Sequence, residues 1–415
     1  MSIDRLASLD PQLPALRAAF EVAAVVRGFE RLSPGAENGR TTRVVACTLH
    51  DAVYEPGLRA VVTYALRVRK TGERLRSTFC VVDVTPDGIR YRVFEEDPAL
   101  PGLVVATDGE MIRERLAEAT GRPAIRCSVT PIRYRPGDHC VVRYELDAPN
   151  GVEVLFGKVV AADPVGLAVT LDSLHAAAAD TRCLEIGPAR AVFVDLHLVV
   201  QHAARGTDLS ALVFGGSRPQ AARLEALHQA GRCLGALHAC AGPHRPKRTL
   251  QQDLADVYAL LPAVAQADPA LASRLSGAAD DMCAHPASTQ AFVPSHGSFR
   301  ADHVLLDGDH ATLIDLDGYC SADPARDAGN LLAYTGWRAL REPRHGLDLG
   351  EGRSVFLAGY ASQGFALEPE RLRLFEAASM LKIAARRFRR LAVTEWPVVP
   401  ALVDAAVEQF TLVRQ

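Results

Sequence analysis

Apolar and polar positions alternate through the first half of the chain and follow helical spacing through the second. Tyr54-Glu-Pro-Gly-Leu-Arg-Ala-Val-Val-Thr-Tyr64-Ala-Leu sets a Pro-Gly turn before an alternating run, the pattern of a strand with one buried face. Tyr134-Arg-Pro-Gly-Asp-His-Cys-Val-Val-Arg-Tyr144-Glu-Leu repeats it. Each copy then meets a polar turn (Lys70-Thr-Gly72; Pro149-Asn-Gly151) and a second apolar strand, ending at Cys80-Val-Val and at Gly157-Lys158-Val-Val. Two similar hairpins are predicted. The echo fits a duplication or sheet-extending cap, and equally the ordinary likeness of Pro-Gly hairpins. The copies differ at one position with chemical meaning. The second places Lys158 inside its return strand, where an unpaired lysine is costly, and the first has no lysine there.

Around these hairpins the spacing predicts helices. Leu13, Leu16, Phe20 and Val25 suit an amphipathic helix packed on the body. Asp108 to Gly121 has early acidic residues and a terminating glycine, and Gly166 to Asp180 is a further helix. Ala191–Asp195 and Leu196–Gln201 form a strand pair, with Gly206-Thr-Asp-Leu-Ser-Ala-Leu as a connector. Gln220 to Cys240 carries Leu224, Leu227, Gly231, Leu234 and Leu237 on one face, and Gly242-Pro243 stops it. Helices dominate 249–284, 323–345 and 369–412. A β-rich half followed by an α-rich half predicts an α+β, two-lobed arrangement. Residues 1–121 form an additional N-terminal α/β cap, 122–205 a β-rich N-lobe, and 206–415 a helical C-lobe.

Composition narrows the class only slightly. With 48% hydrophobic and 23% charged residues, the 415-residue chain reads as ordinary and globular. A net charge of −3 gives no reason to expect nucleic acid or an anionic membrane as partner. Nine scattered cysteines without a Cys-x-x-Cys read as thiols in a reducing cytoplasm, with no metal cluster. Arg17, Glu21 and Arg27 interrupt the most apolar N-terminal stretch, which argues against a signal or a membrane span.

The chemistry concentrates in SHGSFRADHVLLDGDHATLIDLDGYCSADPARDAGNLLAY, from Ser295 to Tyr334. Ala311-Thr-Leu-Ile-Asp315 is a strand reached through an Asp307-Gly308-Asp309 hairpin turn, and a carboxylate at its end can hold a hard cation. If the chain stays extended, Asp317 points to the same side; it serves either the cation or a structural salt bridge. From about Ile125 onward the chain resembles the aminoglycoside/choline-kinase-like phosphotransferase family. The residues that carry the resemblance are RYRPGDHCVVRYEL…LFGKVV, GTDLSAL, LGALHAC, HGSFRADHVLLDG, LIDLDG and DPARDAGNLLAY, in the expected order.

The resemblance implies a protein-kinase-like fold, ATP and Mg²⁺ as cofactors, and transfer to an unidentified small-molecule hydroxyl. Lys158 matches the lysine that pairs with the α- and β-phosphates. Its helix partner is Asp172, or Glu185. The Tyr134 turn lies over the phosphates, and the strand ending in Gln201-His202 runs where backbone groups meet adenine. Asp315 holds the metal, with Asp317 and His303 as further ligands. Asp327 accepts hydrogen bonds from the catalytic-loop backbone, and His296 holds the loop. Two positions depart from the family. Ser298 stands where a catalytic Asp orients the acceptor hydroxyl, and serine is a poor base. His303 replaces a metal-binding Asn, and imidazole suits Mg²⁺ less well than oxygen. Asp302 is the only carboxylate inside the loop and can take over either role. The expected activity is therefore ATP-dependent phosphotransfer. The alternatives are a pseudokinase-like nucleotide-binding or scaffold protein, and a kinase fold turned to another nucleotide-dependent transfer. The basic run from Lys382 to Arg390 is either a solvated face paired with acidic neighbours or, facing the acceptor, a sign of an anionic substrate.

Overall fold

The computed structural model describes residues 8–413 apart from 33–41, 71–73, 149–150, 217, 244, 287–289 and 344–345. The chain divides into two compact units. One comprises Met1–Val169, Ala189–Ala203 and Arg389–Thr394; the other comprises Thr170–Pro188, Ala204–Phe388 and Glu395–Gln415.

The first unit holds two antiparallel sheets. In one, β1 (Thr42–Glu55), β2 (Arg59–Lys70), β3 (Arg76–Thr85) and β4 (Gly88–Val93) lie in sequence order. In the other, β5 (Arg126–Arg135), β6 (His139–Ala148) and β7 (Gly151–Val160) are followed by Leu198–His202 and then Ala191–Phe193. Both predicted hairpins are present. Of the two polar turns, Thr71, Gly72, Pro149 and Asn150 lie outside the described residues.

The echo extends well beyond the hairpins. In the first copy Asp10 is buried and its Oδ2 accepts from the Tyr54 hydroxyl (2.8 Å) and the Gly57 N–H (2.7 Å). In the second, Asp97 Oδ2 accepts from the Tyr134 hydroxyl (2.6 Å) and the Gly137 N–H (2.8 Å). The other carboxylate oxygen binds the N–H two residues on in each case, Gln12 and Ala99, both at 3.0 Å. The Tyr64 hydroxyl donates to Ala19 O (2.8 Å), and the Tyr144 hydroxyl to Ala106 O (2.9 Å). The segments supplying these groups match as well: Asp10-Pro-Gln-Leu-Pro-Ala-Leu and Asp97-Pro-Ala-Leu-Pro-Gly-Leu. Each is followed by a helix, α1 (Val22–Leu32) and α2 (Gly109–Thr120). The second helix has the expected Asp108 cap and left-handed Gly121 end. Leu13, Leu16, Phe20 and Val25 are buried as their spacing predicts, but α1 begins only at Val22. The segment before it closes instead in separate turns, Leu13 N–H to Asp10 O, Leu16 N–H to Leu13 O and Phe20 N–H to Arg17 O.

The copies share one core. Phe79 and Phe94 pack on Tyr134 with ring centroids 5.7 and 5.4 Å away, beside Leu100, Leu103, Ile112 and Leu116. Full burial of each such side chain contributes about 1.5–3 kcal/mol.

In the second unit a four-stranded sheet runs Thr207–Asp208, Val304–Asp307, His310–Leu313, Leu184–Ile186, the last pair parallel. The predicted connector at Gly206 is instead a short strand and the helix Leu209–Phe214, because Asp208 caps the Ala211 N–H at 2.8 Å. The main helices are α3 (Gln220–Ala239), α4 (Ala325–Arg341) and α5 (Pro369–Arg389). α3 packs closely on Leu349–Ala361. A Cβ at Gly231 would lie 2.0 Å from Phe356 O, so only glycine fits there.

Candidate active site

The loop from His296 to His303 is held from below by a buried carboxylate. Asp327, in the first turn of α4, accepts the N–H groups of His296 (2.6 Å) and Gly297 (3.1 Å). Burial alone would raise its pKa. The neighbouring His238 and the Arg326 charge outweigh that and hold it below the usual carboxylate range, so it stays ionised and accepts. Arg326 ties the loop to a second carboxylate. It donates to Asp253 through Nε (2.6 Å) and Nη2 (2.9 Å), and to Gly297 O through Nη1 (2.9 Å). Despite burial, Arg326, Lys382 and Arg248 bring Asp253 down to about 2. Gly297 has φ +82°, and a Cβ on it would sit 1.8 Å from Gly318 O, so the loop and the turn after Asp315 touch backbone to backbone. Asn330 donates to Phe299 O at 2.9 Å.

His296 is fully buried, 3.0 Å from Ile314 O, and its ring stacks on His303. It holds the loop, as the sequence suggests. His303 is also buried, with Nε2 3.3 Å from Asp315 Oδ2 and 3.9 Å from Asp302 Oδ2. Arg300 Nη2 approaches the same nitrogen and lies 3.1 Å from Asp302 Oδ2. His303 thus has an N–H it can accept from and carboxylates it can donate to. Ser298 is half-buried between Gly297 and Phe299.

The region around Asp315 departs from expectation. The strand ends at Leu313, and Asp315 is left-handed (φ 62°, ψ 49°), followed by a 3-10 turn at Leu316–Gly318. Aspartate tolerates this conformation better than most residues. The chain therefore does not stay extended, so the condition under which Asp317 would share a side with Asp315 is not met; Asp317 is exposed in the turn. Among the described residues no group of three or more His, Cys, Asp or Glu is arranged to hold a metal. A magnesium–nucleotide complex needs only one or two protein carboxylates, the phosphates and water supplying the rest. Asp315 and Asp302, flanking His303, fit that small donor set.

Lys158 lies mid-strand in β7, half-buried and opposite Val199. Next to it, Asp138 of the Pro-Gly turn is held below the usual carboxylate range, first by His139 and more weakly by Arg135 and Lys158. Gln201 and His202 end the strand beside β7 and pair with Phe156 and Leu155. Asp172 is exposed on Pro164–Ala178, and Glu185 accepts from the Thr312 hydroxyl at 3.4 Å. Both fall in the second unit and Lys158 in the first.

The sequence reading passed over Arg300, Asp253, Arg326 and Asn330. Three of them stand inside motifs already singled out. The tie from Asp253 to the loop had no local signal, because Arg326 is far along the chain. The basic run is largely paired: Lys382 with Asp253 and Asp256, Arg387 with Glu395, Arg389 with Glu55 and Arg390 with Asp51.

A family model described as phosphotransferase enzyme family matches residues 171–398, more than half of the chain. No curated protein matches it. A spectinomycin phosphotransferase, solved with ADP and spectinomycin, is similar at 12% identity and a TM-score of 0.51, over 73% of this chain and 98% of that one. An amicoumacin kinase with AMP-PNP, Ca²⁺ and Ami is similar at 14% identity and a TM-score of 0.50, over 74% and 96%. At these identities the likeness concerns the kinase-like fold. No helix among the described residues is long and apolar enough to cross a membrane.

Proposed function

The chain belongs to the phosphotransferase enzyme family, and from that premise we propose that it is an ATP-dependent phosphotransferase acting on a small-molecule hydroxyl in the cytoplasm. The observation that carries this reading is the loop held through two backbone N–H groups by Asp327, with Asp315 at its edge. Catalysis of this class rests on positioning and electrostatics, and a fixed loop supplies positioning. Lys158 pairs with the α- and β-phosphates. The strand ending in Gln201 and His202 offers backbone groups to adenine. Asp315 would hold Mg²⁺, with Asp317 and His303 as the weaker candidates. When bound, Mg²⁺ neutralises charge on the β- and γ-phosphate oxygens. Ser298 hydrogen-bonds the acceptor hydroxyl. The new O–P bond forms as the bond from the γ-phosphorus to its bridging oxygen breaks; ADP leaves, and the hydroxyl proton passes to Asp302. Residues 1–121 act as the cap. Neither nucleic acid nor membrane takes part.

A second reading, a nucleotide-binding pseudokinase, is favoured by one contact. Arg300 pairs with Asp302 at 3.1 Å, which engages the loop's only carboxylate where Ser298 offers no base. ATP turnover by wild type, Ser298→Asp and Asp302→Ala, with binding followed by calorimetry, separates the two. If Asp302 is the working base, Asp302→Ala abolishes turnover and Ser298→Asp changes little. If transfer proceeds without a base, Ser298→Asp raises it by up to about 10²-fold. Saturable ATP binding without turnover by any of the three, across a broad acceptor panel, would leave only the pseudokinase.

A further inference from the structure

Tyr334 closes the DPARDAGNLLAY motif, yet it takes no part in the scaffold that holds the loop. It is partly buried on α4, with the Arg300 guanidinium over its ring, 5.2 Å from the centroid. From α5, Arg386 and Arg387 act on the same phenol. Burial would push the phenol up, but Arg386, Arg300 and Arg387 together pull it down to about 8. The surroundings are cationic because the carboxylates there are shared out. Glu395 takes both Arg387 (3.0 Å) and Arg341 (2.9 Å), and Asp302, half-exposed, takes Arg300. Arg386 is the exception in its run. It is half-buried and, among the described residues, makes no ion pair with a carboxylate; its charged neighbour is Lys382.

A half-buried guanidinium beside other cations is unfavourable unless an anion joins it. Guanidinium forks match phosphate and carboxylate oxygens, and a phenol hydroxyl adds one more donor. Arg300 lies on the same loop as Ser298, two residues on in sequence, so an anion it holds is held by the loop proposed to meet the acceptor. We propose that the acceptor carries an anionic group, a phosphate ester or a carboxylate, gripped by Arg386 and Arg300 with the Tyr334 hydroxyl. The choice of acceptor rests on the phosphotransferase reading; the anion site does not. Polycationic acceptors are disfavoured by the same charges.

The test uses the full chain saturated with Mg·AMP-PNP, so that the nucleotide phosphate site is filled, and titrates inorganic phosphate by calorimetry. Wild type binds. Arg386→Gln weakens binding by about tenfold or more, Arg386→Lys by less, and Tyr334→Phe by a few-fold. Phosphate also raises the ultraviolet titration midpoint of a phenol in wild type, and that change is absent in Tyr334→Phe. Turnover of ATP with glucose, gluconate and glucose 1-phosphate then tells carboxylate from phosphate, the charged acceptors exceeding the neutral one. Phosphate that does not bind, or that binds equally well to all three variants, overturns the site even if ATP is turned over. Arg386-dependent phosphate binding with no turnover of these or of a broad panel of hydroxyl acceptors keeps the site and sinks the phosphotransferase reading. Preferential turnover of the neutral sugar overturns the anionic acceptor.

Discussion

The two copies in the first unit share a scaffold and differ in its use. In both, one buried aspartate gathers a tyrosine hydroxyl, the glycine N–H of a Pro-Gly turn and the N–H two residues on. In both, a second tyrosine ten residues beyond the first reaches back to an alanine carbonyl nine residues after that aspartate. The third strands then part company. Val61 pairs with Asp83 in the first copy, and Val141 pairs with Lys158 in the second. Asp83 thus holds the place of Lys158, and it is bound to Arg92 at 2.8 Å. One copy keeps the clamp and the cation; the other keeps the clamp and substitutes a carboxylate already committed to an arginine. What is common to both copies builds the sheet, and the position that differs is the one proposed to meet phosphate.

Removing the clamps is the harshest way to break this comparison. Asp97→Ala leaves a buried tyrosine hydroxyl and two N–H groups without their acceptor, and Asp10→Ala does the same in its copy. Each costs about 3 kcal/mol or more in urea unfolding. The copies separate in function: Asp97→Ala also weakens ATP binding, because its turn carries Asp138 beside Lys158, whereas Asp10→Ala leaves the affinity of the folded protein unchanged. Equal losses of affinity from both variants would mean that the first copy takes part in nucleotide binding.

The differing position gives a smaller and cleaner effect. Lys158→Ala weakens ATP binding by about tenfold or more with little change in melting temperature, as expected for a charge-assisted contact to phosphate. Asp83→Ala breaks a part-buried pair with Arg92, costs about 1 kcal/mol of stability, and leaves ATP binding alone. Loss of affinity in Asp83→Ala would contradict the division between scaffold and ligand position.

The likeness of the two copies was only half legible in the sequence. Pro-Gly turns with alternating strands announced both hairpins, since that signal is local. The clamps were not read, because Asp10 and Asp97 lie outside the hairpins and reach them through the fold. The matching Asp-Pro-x-Leu-Pro-x-Leu segments before each helix could have revealed them. In the second unit the ordered motifs located the loop and its Asp327 support. They did not give the left-handed turn at Asp315, since the turn it opens lies against Gly297 of a loop that is separate in sequence. Nor could they show that Arg326 binds Asp253, or that Arg386 differs from its paired neighbours, because those facts depend on which helices meet.

The gentlest test compares the turn glycines. Gly57 (φ +70°) and Gly137 (φ +74°) are both left-handed, so alanine at either is strained by about 1–2 kcal/mol. Their surroundings differ. A Cβ at Gly57 would come within 2.6 Å of the Gln12 side-chain oxygen, while nothing lies within 4 Å of one at Gly137. Gln12 is exposed and its amide can swing away, so the extra cost at Gly57 amounts to a few tenths of a kcal/mol. Urea unfolding of Gly57→Ala and Gly137→Ala should therefore give nearly equal losses. A Gly57→Ala penalty much larger than that of Gly137→Ala would show Gln12 fixed in place and the first clamp more rigid than the second. No penalty at Gly137 would show that the Asp97 clamp does not need a left-handed turn to receive its N–H.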